Sequence, residues 1–246
     1  MPDRRRHRGP HPDDTTLFGH ADQVRRLTLA AGDLAWLLGR RYAPAAALTL
    51  VGNRYQLHQR QRRALAHAVA APEVARQRCQ RRLVPAELVG QRLQIDTLNQ
   101  VITIEVALAG GLLLCGHDGA WRDLASVHGT YRTMQETPQA LEAIGTYLVP
   151  FQLRQAVFLI DAAVSNSGRL AAQLRALAVA HGWPWEAVLV PSADPLLKGT
   201  SDVVATSDSA ILDQASRWFD LAAAVVRHIA PDAWRIDLGT PLSVVC

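Results

Sequence analysis

Lysine is almost absent: Lys198 is the single one, so the basic character of this 246-residue chain rests on arginine. Cysteine is scarce too. Cys79, Cys115 and Cys246 are far apart and odd in number, which fits neither a disulfide framework nor a CxxC zinc site, so reduced thiols are expected. No apolar stretch reaches the roughly 18 residues needed to span a bilayer, because Glu105 interrupts one candidate and Arg227 the next. The start, MPDRRRHRGPHPDD, has no apolar segment behind its charges and does not read as a secretory signal. A cytoplasmic protein without membrane contact is the expectation. Charged residues make up only 20% and hydrophobic ones 49%, enough to bury a full core and to exclude global disorder.

Charge is distributed unevenly. Residues 1–90 hold 16 arginines against 7 acidic residues, and residues 91–246 hold 10 basic against 15 acidic. A cationic front part that could meet a polyanion and an acidic rear part that could hold metal are the two functional halves this implies.

Residues 1–18 read as a disordered basic tail. Residues 19–84 read as a small all-helical basic domain: Val24, Leu27, Leu34, Leu37 and Leu38 share one amphipathic face, Pro44 suits a helix start, and Arg60, Arg62 and Arg63 oppose Leu57, Leu65 and Val69. Pro85 and Gly90 mark a linker. Over residues 91–230, apolar runs at Leu93–Ile95, Ala156–Ile160, Ala187–Val190 and Val203–Thr206 alternate with helical patterns near Asn99–Leu108, Pro138–Leu148, Gly168–His181 and Ser209–Arg217. That alternation predicts an α/β domain with a doubly wound, mostly parallel sheet. Leu112–Cys115 and Ala120–Leu124 around a glycine-bearing turn predict a hairpin, and residues 231–246 a tail or edge strand.

In an open parallel sheet, ligands bind beyond the carboxyl ends of the strands. Asp96, Asp161 and Asp208 follow three predicted strands. Clustered carboxylates repel one another, and a hard divalent cation, Mg²⁺ or Mn²⁺, is the usual way to keep them ionised together. Capping of the next helix is the alternative role for each. Glu105, Asp194 and Asp202 are further candidate ligands, although Asp202 precedes the strand that Asp208 follows, a separation of about 20 Å in extended chain. Nucleic-acid contacts are expected from Arg54, Arg60, Arg62 and Arg63, and from Asn99, His128, Arg132, Ser165, Asn166 and Ser207 around the strand ends.

Asp96-Thr97-Leu98-Asn99 and Thr206-Ser207-Asp208 resemble the D-G-x-N and T/S-x-D strand ends of the NYN branch of PIN-like nucleases. Thr97 replaces the usual glycine, Gln100 stands where a small apolar residue is usual, and Ala210 replaces a second acid. From about Leu27 to Leu221 the chain also resembles a prokaryotic family, domain-of-unknown-function family four hundred thirty-four. The match runs through Leu50–Tyr55, Arg60–Arg62, Ala109–Leu112, Val127–Gly129, Val164–Gly168 and Asp202–Ser209. The PIN-like resemblance implies a metal-dependent nuclease acting on RNA more readily than DNA. A non-catalytic RNA-binding or scaffold protein and a small-molecule phosphohydrolase are the alternatives.

Overall fold

The computed structural model describes residues 7–125 and 131–239. Five helices open the chain: α1 (Asp14–Phe18), α2 (Ala21–Gly39), α3 (Pro44–Arg54), α4 (Gln59–Ala68) and α5 (Pro72–Gln80). The α/β part follows as β1 (Arg92–Asp96), α6 (Thr97–Leu108), β2 (Leu113–Cys115), β3 (Trp121–Asp123), α7 (Thr137–Leu148), β4 (Gln155–Asp161) and α8 (Ser167–His181). It ends with β5 (Trp185–Val190), α9 (Asp194–Gly199), β6 (Val203–Ala205), α10 (Ser209–Leu212), β7 (Trp218–Phe219), α11 (Leu221–Ile229) and β8 (Arg235–Asp237).

Five strands form an all-parallel sheet in the order β5-β4-β1-β6-β7. Because side chains alternate along a strand, β4 feeds two cores. Its Ala156, Phe158 and Ile160 pack with α6, α7, α8 and α11, while Val157 and Leu159 face Leu197 of α9 and Ile211 and Leu212 of α10. Helices thus cover both faces, as the alternating pattern predicts. The hairpin β2–β3 is antiparallel as expected, and β8 adds a parallel edge strand to it.

The helical front and the α/β part share a third core. Leu112, Leu114 and Leu124 of the hairpin region and Ile236 and Leu238 around β8 pack with Leu27, Leu34, Val51, Leu65 and Phe18. The hairpin is therefore the joint between the two halves.

Three expectations need correction. Residues 14–18 are not a disordered tail: they form α1, and Phe18 is buried in the shared core. The helix expected over Ser209–Arg217 stops at Leu212, because Trp218 is pulled into extended backbone; its amide donates to Arg81 O and its carbonyl accepts from Leu83 N. Cys115 is a free thiol, but Cys79 is disulfide-bonded, against the expectation of three reduced thiols. Among the described residues, no helix is long and apolar enough to cross a membrane.

Candidate functional site at the carboxyl ends of the strands

After β4 and β5 extend the sheet to one side of β1, the chain crosses to the other side to form β6. The strand order reverses there, and such a reversal opens a crevice at the carboxyl ends of the two flanking strands. A cleft of about 520 Å³ lies at this point. Asp96 ends β1, Asp161 ends β4, Asp194 begins α9 after β5, and Asp208 follows β6; all four line the cleft, together with Asn99 and Ser207.

Each carboxylate has local work. Asp96 Oδ2 accepts a 2.8 Å bond from the Thr206 hydroxyl. Asp161 Oδ1 accepts from the Ala193 amide at 2.7 Å. Asp208 Oδ1 caps α10 by accepting from the Ala210 and Ile211 amides at 2.8 and 3.1 Å. Asp194 Oδ2 meets Lys198 Nζ at 3.0 Å on the exposed rim. Asn99 Oδ1 accepts from both the amide and the hydroxyl of Ser207, fastening the start of α6 to the chain after β6.

Burial, with Asp208 and Asp194 close by, pushes the Asp96 carboxyl up to about 7, against the lowering effect of the Thr206 bond. Among the described residues, no group of three or more His, Cys, Asp or Glu side chains is arranged to hold a metal ion. The acids share a cleft without forming a closed cage.

Among the lining residues outside the set expected from sequence, three are ionisable: His67, Arg122 and Asp123. His67 comes from α4, so the helical front supplies one wall. Burial and the nearby Arg63 and Arg122 lower its pKa, with Asp208 acting the other way. Arg122 is buried, gives a bond of 2.8 Å from Nε to Ser207 O, and pairs with Asp118. Burial alone would raise Asp118, but the guanidiniums of Arg122 and Arg78 overcome it and hold the carboxyl well below the usual range. Asp123 accepts from Thr103 Oγ1 and from the Ala125 amide, and burial raises its carboxyl.

Other expected site residues lie elsewhere. Asp202 sits at the opposite end of the sheet, bonded to Gln94 and 3.6 Å from Arg92, because it precedes β6. Glu105 is fully buried on α6 away from the cleft, where Arg8, Thr137 and the Tyr131 hydroxyl satisfy it. Arg60 is held by buried Asp14, and Arg62 donates to Leu57 O and Asn53 Oδ1. Arg54 lies on the exposed surface opposite Asp33 at 3.4 Å. Ser165, Asn166 and Arg132 are exposed and do not line the cleft, and Asn166 Nδ2 donates to Tyr131 O at 2.7 Å. His128 lies outside the described residues.

Residues 26–81 match a family model described as "Protein of unknown function (DUF434)". An uncharacterized protein of Methanocaldococcus jannaschii, MJ0935, is 27% identical over 202 residues, covering 81% of this chain and 96% of that one. No solved structure matches the chain. The α4 wall thus belongs to one matched segment, while all four cleft aspartates fall within a second, residues 85–224, described as "Domain of unknown function (DUF5616)". That second match covers more than half of the chain, which belongs to the DUF5616 family.

Proposed function

We propose that the protein is a metal-dependent, ribonuclease-like hydrolase of the PIN-like type, with its reaction centre in the aspartate cleft. The observation that carries this reading is Asp96: a carboxyl set near Asp208 and Asp194 with no cationic partner among the described residues, its pKa raised to about 7. A half-buried acid near like charges is the setting in which a divalent cation has most to offer. The carboxylates of Asp96, Asp161, Asp194 and Asp208 offer the oxygen donors that Mg²⁺ or Mn²⁺ prefers, and they would have to draw together to hold the ion. When bound, such an ion neutralises charge at a phosphate and lowers the pKa of water.

The chain's own residues supply the rest. Asn99 and Thr206 hold the chain after β6 against the end of β1, which fixes Asp208 beside Asp96. Arg122 braces the same segment through Ser207 O. His67, on the α4 wall, gives the cleft a hydrogen-bonding group suited to a phosphodiester. The parallel sheet with aspartates at its carboxyl ends, and the resemblance at Asp96–Asn99 and Thr206–Asp208, support this reading.

A second reading has an observation of its own. Asp208 caps α10 and Asp161 anchors Ala193, so both have structural duties sufficient to retain them in an RNA-binding or scaffold protein without chemistry. Cleavage of labelled RNA with Mn²⁺, by the wild type and Asp96→Asn, separates the two. The nuclease reading expects cleavage that the substitution abolishes. No cleavage by either protein favours the scaffold, and hydrolysis of mononucleotides alone favours a phosphohydrolase.

A further inference from the structure

The arginines of α4 differ in what they hold. Arg60 is neutralised by Asp14 and Arg62 is spent on Leu57 O and Asn53. Arg63, half-buried, makes no hydrogen bond or ion pair among the described residues. A half-buried guanidinium without a counter-charge is an open binding position for an anion.

Its location gives that position meaning. Arg63 lines a second cavity of about 440 Å³, beside Arg8, Arg60 and His11. Ala125 borders both this cavity and the aspartate cleft, so the two adjoin. His67, four residues after Arg63, stands on the same face of α4 and lines the cleft. One helical turn, a rise of about 6 Å, therefore leads from His67 on the cleft wall to a cation with no partner among the described residues.

We infer that this groove is the track of a polynucleotide strand: one phosphate sits at the aspartates and its neighbour, along α4, at Arg63, with His67 between them. The inference rests on the aspartate cleft as the phosphate site, and it names the substrate as a chain of at least two phosphodiester-linked nucleotides. A mononucleotide, whose phosphate occupies the cleft, does not reach Arg63.

Binding measured without turnover tests it. Fluorescence anisotropy of a labelled single-stranded oligoribonucleotide, in Mg²⁺ with Asp96→Asn as background, is compared with competition by a nucleoside monophosphate. Adding Arg63→Gln is expected to weaken oligonucleotide binding about tenfold, to reduce the slope of log affinity against log salt by about 1, and to leave the mononucleotide unaffected. Arg76→Gln, on the exposed surface of α5 beside Glu73, is expected to change neither. Circular dichroism confirms folding, and Arg63→Lys is expected to restore part of the affinity. Unchanged oligonucleotide binding in Arg63→Gln, an equal loss for both ligands, or no oligonucleotide binding to begin with overturns the track. Cleavage is read separately on the wild type: its absence, with the Arg63 effect intact, removes the nuclease reading and leaves the track standing.

Discussion

The hydroxyl of Thr206 donates to Asp96 Oδ2 at 2.8 Å, joining the residue after β6 to the last residue of β1 across the point where the sheet reverses direction. This bond favours the charged carboxylate, yet burial and the proximity of Asp208 and Asp194 outweigh it. At neutral pH the fold therefore carries an acid that it would rather protonate.

Asp96→Asn should for that reason stabilise the protein while disabling the site. An unfolded aspartate titrates near 4, and the folded one near 7. The raised folded value means that the contribution of Asp96 to stability is full below about 4 and is lost as pH rises through about 7. Urea midpoints of wild type and Asp96→Asn should diverge across that window, with the variant ahead by about 2 kcal/mol at pH 8, less than the full shift because the carboxyl faces an open cleft. Parallel pH curves would show that Asp96 is already compensated.

Adding Mn²⁺ should reverse the ranking. A cation that binds only the folded state at a hundred times its Kd adds about 2.7 kcal/mol. The thermal midpoint of the wild type should climb with Mn²⁺ concentration while that of Asp96→Asn stays flat. Equal responses in the two proteins would place the ion elsewhere.

Asp118→Ala tests the buried brace behind the cleft. It strips the counter-charge from Arg122 and one of the two carboxylates from Arg78, which keeps Asp213; both arginine side chains are only 6% exposed. Leaving the buried Arg122 guanidinium unpaired costs about 3 to 5 kcal/mol, which denaturant titration would read directly. A loss below about 1 kcal/mol would mean that water reaches both arginines in the variant.

Glu105→Gln separates architecture from chemistry. Glu105 lies outside the cleft and pairs with Arg8, so the substitution should lower stability by about 3 kcal/mol and leave the Mn²⁺ response of the folded protein unchanged. Loss of the Mn²⁺ response in a folded Glu105→Gln protein would return Glu105 to the set of candidate ligands.

The strands of the main sheet were legible because each is a short apolar run stopped by an acid or a turn: Leu93–Ile95, Ala156–Ile160, Ala187–Val190 and Val203 onward all lie in observed strands. The convergence of Asp96, Asp161 and Asp208 followed from parallel topology, since equivalent ends of parallel strands lie side by side. What escaped was decided by partners distant in sequence. The run Arg60-Gln61-Arg62-Arg63 looks like a uniform cationic face, but Asp14, 46 residues away, claims Arg60, and only packing tells Arg63 apart. His67 carries no local signal at all; it becomes a cleft residue because the hairpin docks α4 onto the strand ends. β7 was hidden for the same reason, since Trp218 takes its extended form from the backbone after α5.

β8 pairs with β2 across a gap of about 120 residues and brings Ile236 and Leu238 to the front helices. During synthesis, the front helices must wait, with apolar surface uncovered, until residues 235–238 have emerged from the ribosome. Maturation of the α4 wall is thereby tied to translation of β8, and a nascent chain halted before residue 235 would present an unfinished groove.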